Sequence, residues 1–325
     1  MKQIVYCLAL FVGLTLIACN NHDDEAMNQE DNAIRFRAKV VNPTTSTRAQ
    51  SGTESTLLNN SIGNGEKVRI CFYNTGTDNP IITDEGTEAS TNEPIRGRLY
   101  TANNRGELTA DTEDPSWGSN NIDVYAYYPS TFWHNYDYDY YSVSWDQKNP
   151  ASLKNTDILV AQATNIAKTS GPITLEFKHI MTKINVIIQS GSSGLTATNA
   201  KDVRIQCESD YYLEKRNGII KVDLSPGNWA EIQLGDYTSA SGLYGIIPPQ
   251  TIDKNESNYF GKFISFKIND VTYSYMPDSP IELKSGYEYT FTLTIDNSTV
   301  KAKSFSVSPW EGSLQECSVS GNAKI

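Results

Sequence analysis

The sequence predicts an all-β protein built from two β-sandwich domains in tandem. Its 325 residues exceed what one hydrophobic core usually supports. Short apolar runs alternate with clusters of Gly, Pro, Asn, Asp and Ser, a spacing typical of sandwich strands, and no window shows sustained helical periodicity. The 19 tyrosines, together with Thr and Val, suit a pleated and half-buried surface.

The N-terminus carries the pattern of an exported lipoprotein. Lys2 supplies a positive charge, and residues 4–17 are almost wholly apolar, which is the length of a signal-peptide core and too short to span a bilayer comfortably. The run ends at Leu16-Ile17-Ala18-Cys19, which resembles the bacterial lipobox. Signal peptidase would cleave between Ala18 and Cys19, and the Cys19 thiol would carry the lipid that anchors the chain in the outer membrane. An ordinary secretory signal that ends in Cys is the alternative interpretation.

The first strand is predicted from a strict alternation that follows an acidic tether. Ile34, Phe36, Ala38 and Val40 are separated by basic residues, and a period of two is typical of a strand with one buried face. A polar stretch rich in Thr and Ser follows and carries Arg48. Taken alone, this arrangement is a first sheet strand followed by an exposed loop in which Arg48 is solvated.

The later strands are predicted from a series of short apolar-rich runs. They are residues 67–74, 122–128, 158–163, 173–177, 183–189, 203–207, 218–224, 230–234, 243–247, 262–268, 271–276, 287–295 and 303–307. Clusters of turn-forming residues separate them. Short helical turns are expected only near residues 151–154 and 197–200.

Composition excludes several classes of function. Acidic residues outnumber basic ones 38 to 27, for a net charge of −11, which argues against a nucleic-acid surface because phosphate binding requires clustered Lys and Arg. With three histidines and five cysteines, no metal or other cofactor is expected. After the signal and the lipidated residue are set aside, Cys71, Cys207 and Cys317 remain. One disulfide is open to them, although small buried apolar residues are the favoured interpretation.

Residues 132–147 pack aromatic and acidic side chains between two strands. The simplest interpretation is a twisted hairpin whose tyrosines alternate between core and solvent. A second is a glycan-binding loop, in which aromatic faces stack on sugar rings. The aromatic residues that would make these contacts are Trp133, Tyr136, Tyr138 and Tyr140. A calcium site at Asn135, Asp137 and Asp139 lacks the spacing of an EF-hand.

One stretch and four further pieces of the chain resemble a known family. Residues 175–186, Leu-Glu-Phe-Lys-His-Ile-Met-Thr-Lys-Ile-Asn-Val, resemble the central motif of the fimbrillin family, the lipoprotein pilins and pilin-like proteins that build type V pili in Bacteroidetes. The other pieces match in the expected order and cover nearly the whole chain. They are Thr47-Arg48-Ala49, residues 124–129, residues 246–250 and residues 283–291, before a last strand that ends at Trp310. Without the family, these residues fill a core, and His179 is a hydrogen-bonded residue at a domain junction.

The resemblance implies two transthyretin-like β-sandwiches packed end to end. Residues 1–18 are then the lipoprotein signal peptide, and residues 19–48 are the lipidated tether with a removable N-terminal strand. Residues 49–179 form the N-terminal sandwich. Residues 180–325 form the C-terminal sandwich with a terminal strand segment.

The resemblance also implies a mechanism of assembly. Pilins of this family are anchored precursors that a trypsin-like protease cuts after an Arg in an exposed loop, which here is the Arg48–Ala49 bond. Loss of the strand with Ile34, Phe36, Ala38 and Val40 would open a groove and two sheet edges, which a strand of another pilin subunit fills by β-strand addition. Such a head-to-tail contact gives a fibre.

The predicted function is therefore that of a structural pilus subunit, stalk or tip, that supports adhesion and is not an enzyme. Its expected location is the cell surface as an outer membrane lipoprotein, and the fimbrium after processing. A host or bacterial glycan or protein receptor stays open as a further partner. Residues 314–320 alternate weakly for a donor strand, which suits a tip. The alternative is a surface glycan-binding lipoprotein that never polymerises. A glycosidase would need two paired carboxylates, and nothing selects a pair among the 38 acids.

Overall fold

The computed structural model describes most of the chain beyond its N-terminal segment. The described residues are 32–41, 62–77, 97–131, 138–192, 194–214, 221–238, 242–256, 259, 261–296, 299–310 and 315–317. Across these ranges, no helix has the length and apolar character that a membrane crossing requires.

Strands dominate the fold, and the all-β prediction is confirmed. The first elements are β1 (Phe36–Val40), β2 (Lys67–Asn74), β3 (Arg98–Ala102), β4 (Glu107–Ala110), β5 (Ile122–Tyr128), β6 (Tyr138–Ser142), α1 (Pro150–Thr156), β7 (Leu159–Ile166), β8 (Ile173–His179) and β9 (Thr182–Ser190). A 3-10 turn (Ala197–Asn199) precedes the next group. That group is β10 (Lys201–Glu208), β11 (Asp210–Glu214), β12 (Lys221–Leu224), β13 (Trp229–Gly235), β14 (Leu243–Ile247), β15 (Gln250–Ile252), β16 (Ile264–Ile268), β17 (Val271–Tyr275), β18 (Ile281–Leu283), β19 (Tyr287–Asp296), β20 (Thr299–Pro309) and β21 (Gln315–Cys317).

Seven strands of the N-terminal half close into a barrel, in the order β1-β4-β3-β2-β5-β7-β8. β1 completes the ring, because it pairs antiparallel with β4 and parallel with β8. The other pairs of this barrel are antiparallel over the residues described. The predicted N-terminal sandwich therefore takes the form of a closed barrel, since β1 joins its two edges.

The C-terminal half contains two larger sheets, in the orders β13-β10-β16-β17 and β14-β9-β19-β20-β21. In the second, β9 and β19 run parallel, and β21 lies at the edge beside β20. Smaller sheets have the orders β12-β11-β6 and β15-β18. Alternation along β16 and β19 points large apolar residues such as Phe266 and Phe291 into the core between the sheets.

Two hydrophobic cores organise these sheets. One is formed by the barrel strands between Ile34 and Phe177, and the other by the strands after residue 180. Val143, Leu153 and Ile158 precede that point in sequence but pack into the second core. The segment from β6 to the start of β7 therefore lies before residue 180 in the sequence but packs into the core of the second half. A domain boundary at residue 180 stays a prediction.

A buried polar pair lies near this junction. His179 Nδ1 and Asp157 Oδ1 are 2.7 Å apart, and both side chains are almost fully buried. The imidazole stacks on Trp310, with ring centroids 4.1 Å apart and planes 10° from parallel. Asp157 ends α1, His179 ends β8 and Trp310 follows β20, so three elements meet at this contact. The prediction that His179 is hydrogen-bonded is confirmed, and its place at a domain junction stays a prediction.

Replacing Asp157 with Ala is expected to lower the free energy of unfolding by about 1–3 kcal/mol, because the imidazole loses its buried hydrogen-bond partner. Asp146→Ala is the matched control, since Asp146 forms a partly exposed ion pair with Lys148 at 3.8 Å. It should change stability by no more than about 0.5 kcal/mol. Urea unfolding followed by tryptophan fluorescence measures both, and equal effects would contradict the structural role given to the pair.

Candidate functional site

The position of β1 defines the candidate site. Its residues 36–40 pair with residues 173–177 of β8, and Phe36 and Arg37 pair with Leu108 and Glu107 of β4. Backbone hydrogen bonds outside the regular ladders extend these contacts. They run from Ile34 N to the Pro115 carbonyl, from Ala38 N to the Gly106 carbonyl, from Val41 N to the Phe177 carbonyl and from Ile173 N to the Arg35 carbonyl, all at 2.7–2.8 Å. We call the space that residues 34–40 fill between β4 and β8 the first-strand groove.

The apolar face of this segment completes the barrel core. Ile34, Phe36, Ala38 and Val40 are at most 6% exposed, so the predicted alternation of buried and exposed positions is confirmed. The Phe36 ring lies 5.3 Å from that of Phe72, in a tilted arrangement, and 5.5 Å from that of Tyr100, edge to face. Such aromatic contacts add to the stabilisation that burial alone provides.

The opposite face of the strand carries charge. Arg37 Nη2 lies 3.5 Å from Glu107 Oε1, and Lys39 Nζ lies 3.8 Å from Glu176 Oε1. The side-chain hydrogen bond from Asn103, with the nearby arginines, lowers the pKa of Glu107. All four charged side chains of the two pairs are about half exposed, and exposed ion pairs contribute little to stability. The backbone ladders and the apolar face therefore hold the strand.

The turn between β3 and β4 is shaped to approach β1. Asn103 Oδ1 accepts hydrogen bonds from the Arg105 and Glu107 amides at 2.9 and 3.0 Å, which fixes the turn. Gly106 then adopts φ +76°, and a Cβ at this position would lie 2.5 Å from the Ala38 carbonyl oxygen. Glycine is required here both by the left-handed backbone and by the close approach to the strand. Sequence reasoning missed Gly106, although an Asn-Asn-Arg-Gly run is a turn signal.

The second half ends at a different sheet edge. Three residues of β21, Gln315–Cys317, pair antiparallel with Val307, Ser306 and Phe305 of β20. The terminal segment therefore lies against its own C-terminal sheet in this structure. Trp310, at the end of the preceding strand, is fully buried.

The described part of the aromatic segment forms an outer strand. β6 pairs with the distant strand β11, so that Tyr140 lies opposite Tyr212 and Tyr141 opposite Tyr211, and the described part of the predicted hairpin pairs outside the segment. Tyr141 stacks on the buried Tyr211, whereas Tyr140 and Tyr212 face solvent, so these two neighbouring tyrosines lie on opposite faces as predicted. The backbone of Tyr138 also lies on this strand. Sequence reasoning missed Tyr212, because its partner lies far away along the chain.

Several predicted site residues lie outside the described ranges. They are the peptidase site and lipid anchor at Ala18 and Cys19, the processing site at Arg48 and Ala49, and the aromatic residues Trp133 and Tyr136. Cys71 and Cys207 are both buried and form no disulfide within the described part of the chain, and burial raises the pKa of the Cys207 thiol. In the residues that the structure describes, no cluster of three His, Cys, Asp or Glu side chains is placed to hold a metal ion.

The fold and site define an all-β protein in which β1, the first strand that the structure describes, closes a barrel. A sequence profile described as fimbrillin-like matches residues 47–310, and the chain belongs to this family. Membership supports a structural role in a fimbrium or in adhesion at the cell surface. No curated protein matches the chain.

Solved structures of Bacteroides proteins share the fold. A candidate cell adhesion protein from Bacteroides ovatus is 17% identical, with a TM-score of 0.57 over 89% of this chain and 97% of its own. A second, from Bacteroides uniformis, is 16% identical, with a TM-score of 0.59 over 86% of this chain and 98% of its own. The C-terminally truncated tip fimbrial protein Mfa3 from Porphyromonas gingivalis is 10% identical, with a TM-score of 0.49 over 85% of this chain and 98% of its own.

Substituting Gly106 with Ala is expected to loosen β1, because the new Cβ meets the Ala38 carbonyl. Gly76→Ala is the matched control, since Gly76 has φ +74° but no atom within 4 Å of a Cβ added there. Both variants carry the left-handed strain of about 1–2 kcal/mol. Only Gly106→Ala should also expose residues 34–40 to faster amide hydrogen exchange, and equal exchange in the two variants would contradict this role of the turn.

Proposed function

We propose that the chain is a structural subunit, stalk or tip, of a type V pilus, assembled by protease-activated strand exchange. The observation that carries the proposal is the position of β1, which closes the barrel by pairing with both β4 and β8. A polar stretch that contains Arg48 follows this strand in the sequence. Membership of the fimbrillin-like family supports a fimbrial role. The sequence pattern at Ala18-Cys19 supports export as a lipoprotein anchored in the outer membrane through Cys19.

Before cleavage, the strand is held in place by burial. Ile34, Phe36 and Val40 are each at most 6% exposed, and burying a side chain of this kind contributes about 1.5–3 kcal/mol. The covalent link through residues 41–61 keeps the strand at a high local concentration beside its groove. An intact precursor therefore presents neither the core nor the edges of β4 and β8 to another subunit.

Cleavage by a trypsin-like protease at Arg48–Ala49 changes the balance between strands. The retained strand is then bound only by non-covalent contacts, and once it has left, its return is bimolecular. Its departure frees the backbone groups of β4 and β8 that it had paired, and unpaired edges are templates for another chain. A strand of a neighbouring pilin subunit fills the first-strand groove by main-chain hydrogen bonds.

The groove selects its occupant by pattern. Four positions, now Ile34, Phe36, Ala38 and Val40, enter the core at a period of two. The backbone carbonyl at position 38 meets the close approach of Gly106, whatever the side chain there. Two of the intervening basic residues, Arg37 and Lys39, lie in half-exposed ion pairs. An incoming strand must therefore match size and alternation on one face, while charge on the other face discriminates little.

The properties of β21 and the residues around it favour one position of the subunit in the fibre, the tip or the stalk. β21 contributes three residues to its own sheet, and residues 314–320 do not keep one apolar face. A subunit that accepts a strand well and donates one poorly suits a tip. Immunogold labelling of fibres distinguishes this position from the stalk, since a tip subunit labels only the ends.

Replacing Cys19 with Ala is expected to abolish incorporation of a radiolabelled fatty acid and recovery in the outer membrane fraction, because the acylated thiol is lost. Cys7→Ala is the control, since Cys7 lies within the predicted signal peptide. It should label and fractionate as the native chain does. Unchanged membrane retention of Cys19→Ala would refute the lipid anchor.

Replacing Arg48 with Ala is expected to leave an anchored precursor that does not enter fibres, because the strand with Phe36 is never released. The control is Arg105→Ala, at an exposed arginine in the turn between β3 and β4. It should be processed and assembled normally. Unheated gels and N-terminal sequencing of the protein shed from cells give the two readouts.

A fibre assembled from Arg48→Ala subunits that retain residues 34–40 would show that strand exchange is wrong for this chain. An N-terminus of the shed protein at a residue other than Ala49 would instead move the processing site and leave the groove mechanism in place.

A further inference from the structure

An exposed aromatic pair lies on the outer face of the sheet β12-β11-β6. Tyr140 is 50% exposed and Tyr212 is 38% exposed, and both are among the most exposed large aromatic residues described. They are cross-strand partners, with ring centroids 5.4 Å apart and an interplanar angle of 62°. The inward residues Tyr211 and Leu213 of β11 anchor the sheet in the second core. The pair is therefore fixed on a packed sheet and not on a loose loop.

Hydrogen bonds hold the Tyr140 ring in one orientation. Its hydroxyl donates to Asp210 Oδ2, and Asn228 Nδ2 donates to the hydroxyl oxygen at 3.4 Å. Partial burial raises the pKa of Asp210, but hydrogen bonds from Ser142, Tyr140 and Ser209 outweigh this and lower it overall. The Asp210 carboxylate therefore stays ionised and continues to accept the hydrogen bond from the Tyr140 hydroxyl. These two hydrogen bonds restrain the exposed Tyr140 side chain, which reduces the entropy lost on binding.

Polar groups surround the two rings. Ser142 lies opposite Asp210 across the strand pair, and Asp223 of β12 lies opposite Tyr212 on its other side. An aromatic face carries partial negative charge and attracts the C–H bonds of a sugar ring, while carboxylates and hydroxyls bind sugar hydroxyls. We propose that the Tyr140–Tyr212 face binds a neutral glycan.

The charge of the face disfavours acidic sugars. Asp210 lies beside the rings, and its pKa is lowered by hydroxyl donors, which leave its negative charge in place. The whole chain adds a net charge of −11. Like charges at short range repel. Sialylated or sulfated glycans are therefore poor ligands for this surface.

The size of the pair favours a small ligand. An aromatic side chain offers about 150–250 Å² of surface, so the exposed parts of the two rings come to less than about 250 Å². A specific protein interface uses about 800 Å² on each partner. The exposed area of the two rings matches one or two sugar units. A protein partner would need a much larger surface, of which the two rings would be only a part.

A glycan array carrying neutral, sialylated and sulfated oligosaccharides, probed with the purified full chain, tests the proposal. The native chain should bind neutral glycans. Tyr140→Ala and Tyr212→Ala should each weaken this binding by about tenfold or more, the usual loss when an anchoring aromatic is truncated. Tyr140→Phe keeps the ring but loses the bond to Asp210, and its loss should be smaller. Trp145→Ala is the matched control, because Trp145 is 66% exposed but lies outside the pair.

Three results would overturn the proposal: no neutral glycan bound, binding confined to acidic glycans, or equal losses in Trp145→Ala and the two tyrosine variants. A protein partner lost in Tyr140→Ala, in the absence of glycan binding, would also overturn it and assign the face to protein recognition. Thermal unfolding of each variant verifies its fold. The measurement needs no cleavage at Arg48 and no fibre, so its outcome is independent of the strand-exchange proposal.

Discussion

The barrel of the N-terminal half depends on the pairing of β1 with both β4 and β8, because this pairing closes the ring of strands. In the strand order of the described barrel, β4 and β8 are both neighbours of β1 and not of each other, so the barrel is closed only while β1 is in place. Pairing with β8 is parallel, which is slightly less stable per residue, and the outward ion pairs are exposed. Stability therefore rests on the buried face, and because hydrophobic burial is non-directional, another strand of the same pattern meets the same requirement.

Much of the strand content could be predicted where a run carries its own pattern. β2, β5 and β14 have the bounds predicted from apolar runs, and α1 and the 3-10 turn lie where short helical turns were expected. β3, β4, β11, β15 and β18 were missed, because their short runs mix polar and apolar residues and become strands only through pairing. Closure of the barrel and the parallel pairing of β1 with β8 could not be predicted from the sequence either, because strand register depends on contacts between distant segments.

The residues of the candidate sites also divide into those that a local sequence pattern predicts and those whose role depends on a distant contact. Alternation along residues 34–40 predicted which side chains face inward, because a strand places every second residue on one face. The importance of Gly106 depends on its distance from Ala38, and that of Tyr212 on its contact with Tyr140. A local pattern can mark a turn or an outward tyrosine. It contains no information about which distant residue that turn or ring will touch.

The groove and the aromatic pair rest on different cores, and this separation matters for a subunit that exchanges a strand. Residues 34–40 pack only into the barrel core, whereas Tyr211 and Leu213 seat the aromatic sheet on the second core. The bond from Tyr140 to Asp210 and the contact with Tyr212 involve no barrel strand. Replacement of β1 by another strand therefore leaves the contacts that orient the rings unchanged. If the proposed strand exchange takes place, the subunit presents the same aromatic face to a ligand before and after it.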